Sequence, residues 1–465
     1  MQFYLSLRPS RVVLILLFLL AGCARPASDI PTPGSEGGGD SYFPHLGNGG
    51  YDSLHYTIDL AVDAETNRLA GTTTILAQAT QPLSAFNLDF LGLEIAAIQV
   101  NGEAANFQRV GSELTVTPVA AIARGAEFTV TVRYSGIPQP VEDPSVPFAQ
   151  GWMQIGESIV VFSEPSGAMN WYPVNNHPTD KATYTFRITV AKPLVVAANG
   201  LLQQQVDNGT TTTYIWEARN PMASYLATVA IGTFVVESEV TTNGLPLRNY
   251  FPPNLDQKVS APFDRTAEMI DYFSSILGPY PFEAYGVVVI DGVLDGYLET
   301  QTLSLFDKDP VEEFVVVHEL AHQWFGNSIS LHRWQDIWLN EGFATYSQAL
   351  WTEHTQGTRA RDEELRWMYR EIERRQQPLA DPSPEGMFDW STYVRGALTL
   401  HALRLAVGDE DFFSILRAYY ERFGNGTAST QDFIVLAEEV SGEELDDLFH
   451  AWLYATEIPP MPTNR

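Results

Sequence analysis

The sequence predicts a multidomain α+β fold, with an antiparallel β domain followed by a mainly helical one, and three observations lead there. The chain has 465 residues, more than one hydrophobic core ordinarily serves. From about Tyr51 to Val240, apolar residues alternate with polar or small ones, the two-residue period of half-buried strands. Beyond Val240 the apolar spacing changes to three and four residues, the helical period.

The N-terminus reads as a targeting segment. Arg8 and Arg11 precede the apolar run Val12 to Leu20, and Leu20-Ala21-Gly22-Cys23 comes next. This resembles a bacterial lipoprotein signal, which implies cleavage before Cys23 and lipidation of that residue. A partner membrane and an extracytoplasmic place in the cell envelope are implied with it. The apolar run is shorter than the roughly 20 residues of a spanning helix. Cys23 is the single cysteine, so no disulfide can form within one chain. Residues 24 to 40 are rich in Pro, Gly and Ser without apolar periodicity, the composition of a tether. The expected division is a signal at 1–22, lipidated Cys23 and a flexible tether at 23–48, a β domain at 49–240 and a catalytic domain at 241–465.

Within the β domain, Tyr56, Ile58, Leu60 and Val62 alternate, as do Phe86, Leu88 and Phe90, and again Phe128, Val130, Val132 and Tyr134. Asn101-Gly102 marks a hairpin turn. The stretch from Glu164 to Arg187 is a loop dense in turn formers that leads into a strand over Tyr184 to Val190. His177 in that loop is adjacent to Pro178 and reads as structural. In the second half, Phe263, Ala267, Ile270, Phe273 and Leu277 share a helical face that stops at Gly278. Tyr285 to Asp291 reads as a buried strand. Helices are expected over Glu410 to Phe423 and Thr430 to Val440, the latter capped by Ser429.

One stretch carries chemistry. Val311 to Trp324 reads as a helix in which His318 and His322 stand four apart, on one face, with Glu319 beside them. This is the H-E-x-x-H arrangement of zinc peptidases, in which two neutral imidazoles reach one ion and the glutamate serves as base. A catalytic zinc takes a third protein ligand, and Glu341, separated from His322 by 18 residues, is placed to return on a second helix. Glu319 lies among Val315, Val316, Val317, Leu320 and Ala321, where a carboxylate without a task or partner would be costly. His332, His354, His401 and His450 are not needed as ligands; Asp336 is a candidate to orient a ligand histidine.

These residues resemble the aminopeptidase N family of gluzincin metallopeptidases, which includes leukotriene hydrolase. The likeness rests on His318-Glu319-x-x-His322, the gap to Glu341 and Trp338-Leu-Asn-Glu-Gly-Phe-Ala, and on Trp171-Tyr-Pro, Asp180-Lys-Ala-Thr-Tyr-Thr-Phe and Ala198-Asn-Gly. It implies an N-terminal β-saddle domain and a thermolysin-like catalytic domain, one Zn²⁺ per chain, and peptide substrates with a free N-terminus. Gly296-Tyr-Leu-Glu299-Thr stands where the family has Gly-x-Met-Glu-Asn, which implies that Glu299 binds the substrate ammonium. Tyr393-Val-Arg-Gly396 stands where it has Tyr-x-Lys-Gly, which implies that Tyr393 donates to the oxyanion. Glu164 is a candidate second carboxylate for the ammonium. Leu298, Thr300 and Arg395 depart from the family pattern, and the large C-terminal helical domain of many members has no counterpart here, so a more open cleft is expected.

The formal charge is −30, which excludes nucleic acid as a natural partner. Three functions remain: a zinc aminopeptidase, a zinc endopeptidase on the same centre, and a catalytically silent binding lipoprotein. Glu299 favours the first over the second. The third would be expected to lack a ligand, the base or the tyrosine, and all are present.

Overall fold

The alternating residues become strands because one face of each is covered. Along Tyr51–Asp63 the inward residues Tyr56, Ile58 and Leu60 are buried while their neighbours reach solvent. The computed structural model describes residues 30–294, 296–373 and 378–461. Tyr51–Asp63, Arg68–Ala79, Glu127–Gly136 and Glu94–Val100 lie side by side and antiparallel. Asn101 and Gly102, both at positive φ, turn the last of these into Glu103–Ala104 as expected. On the other flank Ala182–Ala191, Thr211–Met222 and Leu201–Asp207 extend the same sheet. The join is parallel, Ala182–Ala191 against Tyr51–Asp63, so the sheet is not wholly antiparallel. More than a hundred residues separate those two strands, ample for the crossover a parallel pair requires.

Two expected boundaries move. Residues 30–48, read as tether, are packed: Thr32–Pro33 pairs with Leu83–Asp89, and Phe43 and Leu46 are buried. The Asp40 carboxylate accepts from the amides of Tyr42 at 2.7 Å and Trp334 at 2.8 Å, the latter in the catalytic domain. A few anchoring side chains fix a segment whose average composition is that of a linker. Residues 1–29, with the signal, Cys23 and the first part of the tether, lie outside the described residues. Val235–Val240 pairs with Pro246–Phe251, which lies beside Tyr285–Ile290 and, through it, Ser304–Asp307. That strand therefore belongs to the catalytic sheet, and the β domain ends near Gly232 rather than at residue 240. Alternation alone does not say which sheet an edge strand joins.

Among the described residues the α-helices are α1 (Gln257–Ser260), α2 (Thr266–Leu277), α3 (Glu313–Ala321), α4 (Trp338–Gln356), α5 (Thr358–Ile372), α6 (Trp390–Val407), α7 (Asp409–Phe423), α8 (Thr430–Ser441) and α9 (Asp446–Phe449). α2 stops at Gly278, and Ser429 and Asp432 cap α8 reciprocally. The helix expected over Val311 to Trp324 is shorter at both ends. His322 nonetheless keeps helical dihedrals and a 3.2 Å bond from its amide to the His318 carbonyl, so the two imidazoles stay one turn apart. α4 and α6 cross at two glycines. A Cβ on Gly342 would meet the Gly396 Cα at 2.7 Å, so only glycine allows the approach that sets Glu341 near Tyr393.

The domains are tied beside the metal helix. The Lys181 ammonium, at the start of strand Ala182–Ala191, donates to the carbonyls of Asn327 and Ser328 at 2.9 Å each and of Gly426 at 3.2 Å. Among the described residues no helix is long and apolar enough to cross a membrane.

Candidate metal centre

The three expected ligands meet. Glu341, in the first turn of α4, brings Oε2 within 3.2 Å of His318 Nε2 and 3.6 Å of His322 Nε2. The ring of His322 is oriented from behind: Nδ1 donates to the Phe325 carbonyl at 3.1 Å, which turns Nε2 toward Glu341 as the ligand atom. Gly326, at φ +117°, makes the turn beneath it, and a Cβ there would crowd His322 Nδ1 at 3.3 Å. A second grouping, Glu299, Glu319 and His322, also lies within 4.8 Å. It is the poorer set, because Glu299 approaches His322 only through Nδ1, at 4.0 Å, and that nitrogen is engaged by Phe325.

The centre is built for a cation. Burial opposes protonation of His322, yet the carboxylates of Glu299, Glu341 and Glu319 outweigh it and lift the imidazole to about 10. Burial likewise disfavours an ionised Glu341, but His322 and His318 hold it down to about 2. Four buried carboxylates, Glu164, Glu299, Glu319 and Glu341, share one cavity of about 360 Å³ with the two histidines. Two imidazole nitrogens and one carboxylate oxygen converging at this spacing are the donor set of a catalytic zinc. Glu319 comes directly after His318 on α3, lines the cavity and is outside this donor set.

At the His322 end lies Glu299. Its segment forms a bridge through Leu298 to Leu305, at the edge of the catalytic sheet. Two residues that sequence reasoning missed hold its main chain: Gln323 Nε2 and Asn327 Nδ2 donate to the Glu299 carbonyl at 3.0 and 2.7 Å. Gln323 Oε1 also accepts from the Thr302 amide at 2.8 Å. The histidine helix and the turn after it thus fix the distance between Glu299 and the ligands. The only trace in the sequence is two amides in an otherwise apolar run. Glu164 arrives from the loop after the buried strand Ser158–Phe162 of the β domain, and Gly296 lines the same cavity. The departures are accommodated: Leu298 is buried, and the Thr300 hydroxyl donates to the Leu303 carbonyl within its own turn.

Tyr393, in the first turn of α6, stacks on His318 with ring centroids 5.8 Å apart. Burial, then the charges of Glu341 and Glu164, raise its phenol well above the usual range and keep it a donor. Tyr393→Phe is expected to lower kcat by on the order of 10²-fold, as for loss of one oxyanion donor, with zinc content unchanged by metal analysis. Arg395, two residues on and so on the opposite face of α6, donates to the carbonyls of Trp452, Ala451 and Ala455. Asp336 does not orient a ligand histidine: its carboxylate accepts from the Thr430 amide and hydroxyl. An acid close in sequence to a metal ligand need not face it. His177 is structural as expected, bonded to Thr179 and facing Asp40.

Fold and centre together define a zinc metallopeptidase. Residues 52–226 match the Peptidase M1 N-terminal domain and residues 262–452 the Peptidase family M1 domain. A solved M1 zinc metallopeptidase from Deinococcus radiodurans, a mutant bound to a Tyr-Ser-Ala substrate, is 33% identical with a TM-score of 0.87, covering 92% of this chain and 99% of its own. Aminopeptidase M1-B of Oryza sativa subsp. japonica is 26% identical over 86% of this chain and 49% of its own length. Aminopeptidase N of Streptomyces lividans is 25% identical over 88% and 50%. This chain spans about half the length of the curated relatives it matches. It belongs to peptidase family M1, with the one catalytic zinc of that family.

Proposed function

We propose that the protein is a zinc aminopeptidase that removes the first residue of peptides bearing a free α-ammonium. The observation that carries this reading is the pair Glu164 and Glu299. Both carboxyls are buried in the wall of the ligand cavity, and Oε1 of each has no hydrogen-bond partner in the protein. A buried carboxylate oxygen is costly without a cation or donor, and an ammonium satisfies both by charge-assisted hydrogen bonds. A substrate held there by its N-terminus presents its first carbonyl to His318, His322 and Glu341. His318, His322 and Glu341 would hold the zinc, which would supply a Lewis acid and a positive charge favouring ionisation of water near neutral pH. Glu319 takes the proton of the attacking water and delivers it to the departing amine. Tyr393 donates its O–H to the carbonyl oxygen as charge builds there.

The test is release of free amino acid from aminoacyl arylamides before and after chelation, with zinc restored afterwards. Activity should vanish and return. Activity that survives complete removal of the metal would overturn the reading.

We propose further that Cys23 carries a lipid that anchors the body to a membrane of the cell envelope. The support is the charged, apolar and small-residue order of residues 8 to 23. Cys23→Ser should leave the protein uncleaved or released, read by detergent partitioning and by the mass of the mature chain. Unchanged partitioning and processing would remove the anchor.

A further inference from the structure

Along one face of α3, Phe314, His318 and His322 stand at four-residue steps, and Phe314 lines the catalytic cavity with both histidines. From His318 a run of rings leads outward. Tyr393 stacks on His318, Trp390 lies 6.2 Å from Tyr393 at 22°, and Trp367 of α5 meets Trp390 edge-on at 6.4 Å. Exposure grows along it, from Trp390 at 38% to Trp367 at 47%, and Phe314 on the wall of the same cavity is 48% exposed. Single exposed apolar side chains are ordinary, but a run continuous with a catalytic cavity marks a binding surface.

The centre has a direction. Glu299 stands at the His322 side and the aromatic run begins at His318. A peptide held by its ammonium at Glu299 and Glu164, with its first carbonyl at the ligands, leaves toward Tyr393 and Trp390. α3 rises about 1.5 Å per residue, which puts Phe314 roughly 6 Å beyond His318. An extended peptide advances about 3.3 Å per residue, so that span covers about two residues. Trp367 lies one ring further out.

We propose that Phe314, Trp390 and Trp367 form an aromatic shelf that binds apolar and aromatic side chains at the second to fourth residues of the substrate, the part released on cleavage. This rests on the aminopeptidase reading, because the direction of the peptide is set by where its ammonium is held. The shelf selects by the residues beyond the first peptide bond, independently of the pocket that receives the first side chain. It carries no charge, so the selection is by apolar area and ring stacking.

The experiment compares release of free leucine from Leu-Phe-Phe-Gly and Leu-Gly-Gly-Gly by the zinc-loaded enzyme, its Trp390→Ala variant and its Trp367→Ala variant. The wild type should favour the aromatic peptide about tenfold in kcat/KM, chiefly through KM, and each substitution should cut that ratio about threefold to fivefold, the scale of one aromatic pair. Trp367 projects from the surface of α5, so its variant carries the test should Trp390→Ala fold poorly. Equal kcat/KM for the two peptides in the wild type, or a ratio unchanged in a folded variant, overturns the shelf and leaves the aminopeptidase reading intact. No leucine from either peptide overturns both.

Discussion

Glu319→Gln should retain one zinc per chain and lose turnover by roughly 10³- to 10⁴-fold, the upper part of what a positioned general base contributes. The amide has the size of the acid, so the buried site on α3 remains filled, but it takes up no proton at neutral pH. His318, His322 and Glu341 converge without Glu319, so coordination should be untouched. His318→Ala, by contrast, removes a donor and should empty the centre. Metal analysis beside steady-state kinetics reads both quantities. Loss of zinc from the Gln variant would make Glu319 a ligand and leave the reaction without its base.

Glu299→Ala should cost about 2–5 kcal/mol of transition-state stabilisation on substrates with a free amine, the usual penalty for removing one member of a buried charge pair. The backbone should stay in place, since Gln323 and Asn327 hold the Glu299 carbonyl and not its side chain. An acetylated substrate brings no charge to that end and so has little to lose. The ratio of kcat/KM for free over acetylated peptide should therefore narrow in the variant. A loss equal on both substrates would make Glu299 a support of the site rather than its ammonium anchor.

The ligands were legible because their spacing is a property of one helix: four residues return a side chain to the same face wherever the helix lies. Glu341 needed only a returning helix, and Ser429 only a cap. What stayed hidden depends on distance through space. Nothing local announces that Gln323 and Asn327 reach the Glu299 carbonyl, or that Glu164 crosses from the β domain into the cavity with its Oε1 unpaired. The packing of residues 30–48 was missed because Phe43, Leu46 and Asp40 decide it, and a composition rich in Pro, Gly and Ser outweighs three residues in any average. The strand Val235–Val240 was seen, but its partner Pro246–Phe251 put it in the other domain. Asp336 failed as an orienting residue for a similar reason, its proximity to Glu341 in sequence being overridden by the bond to Thr430.

The most direct measurement is a mass-spectrometric time course of a free decapeptide and its N-acetylated twin incubated with the zinc-loaded protein. The expected result is a ladder in which the free peptide loses one residue at a time from its N-terminus while the acetylated one persists. Internal fragments appearing from both peptides at similar rates would contradict it, and would show a metal centre that cleaves without holding the ammonium.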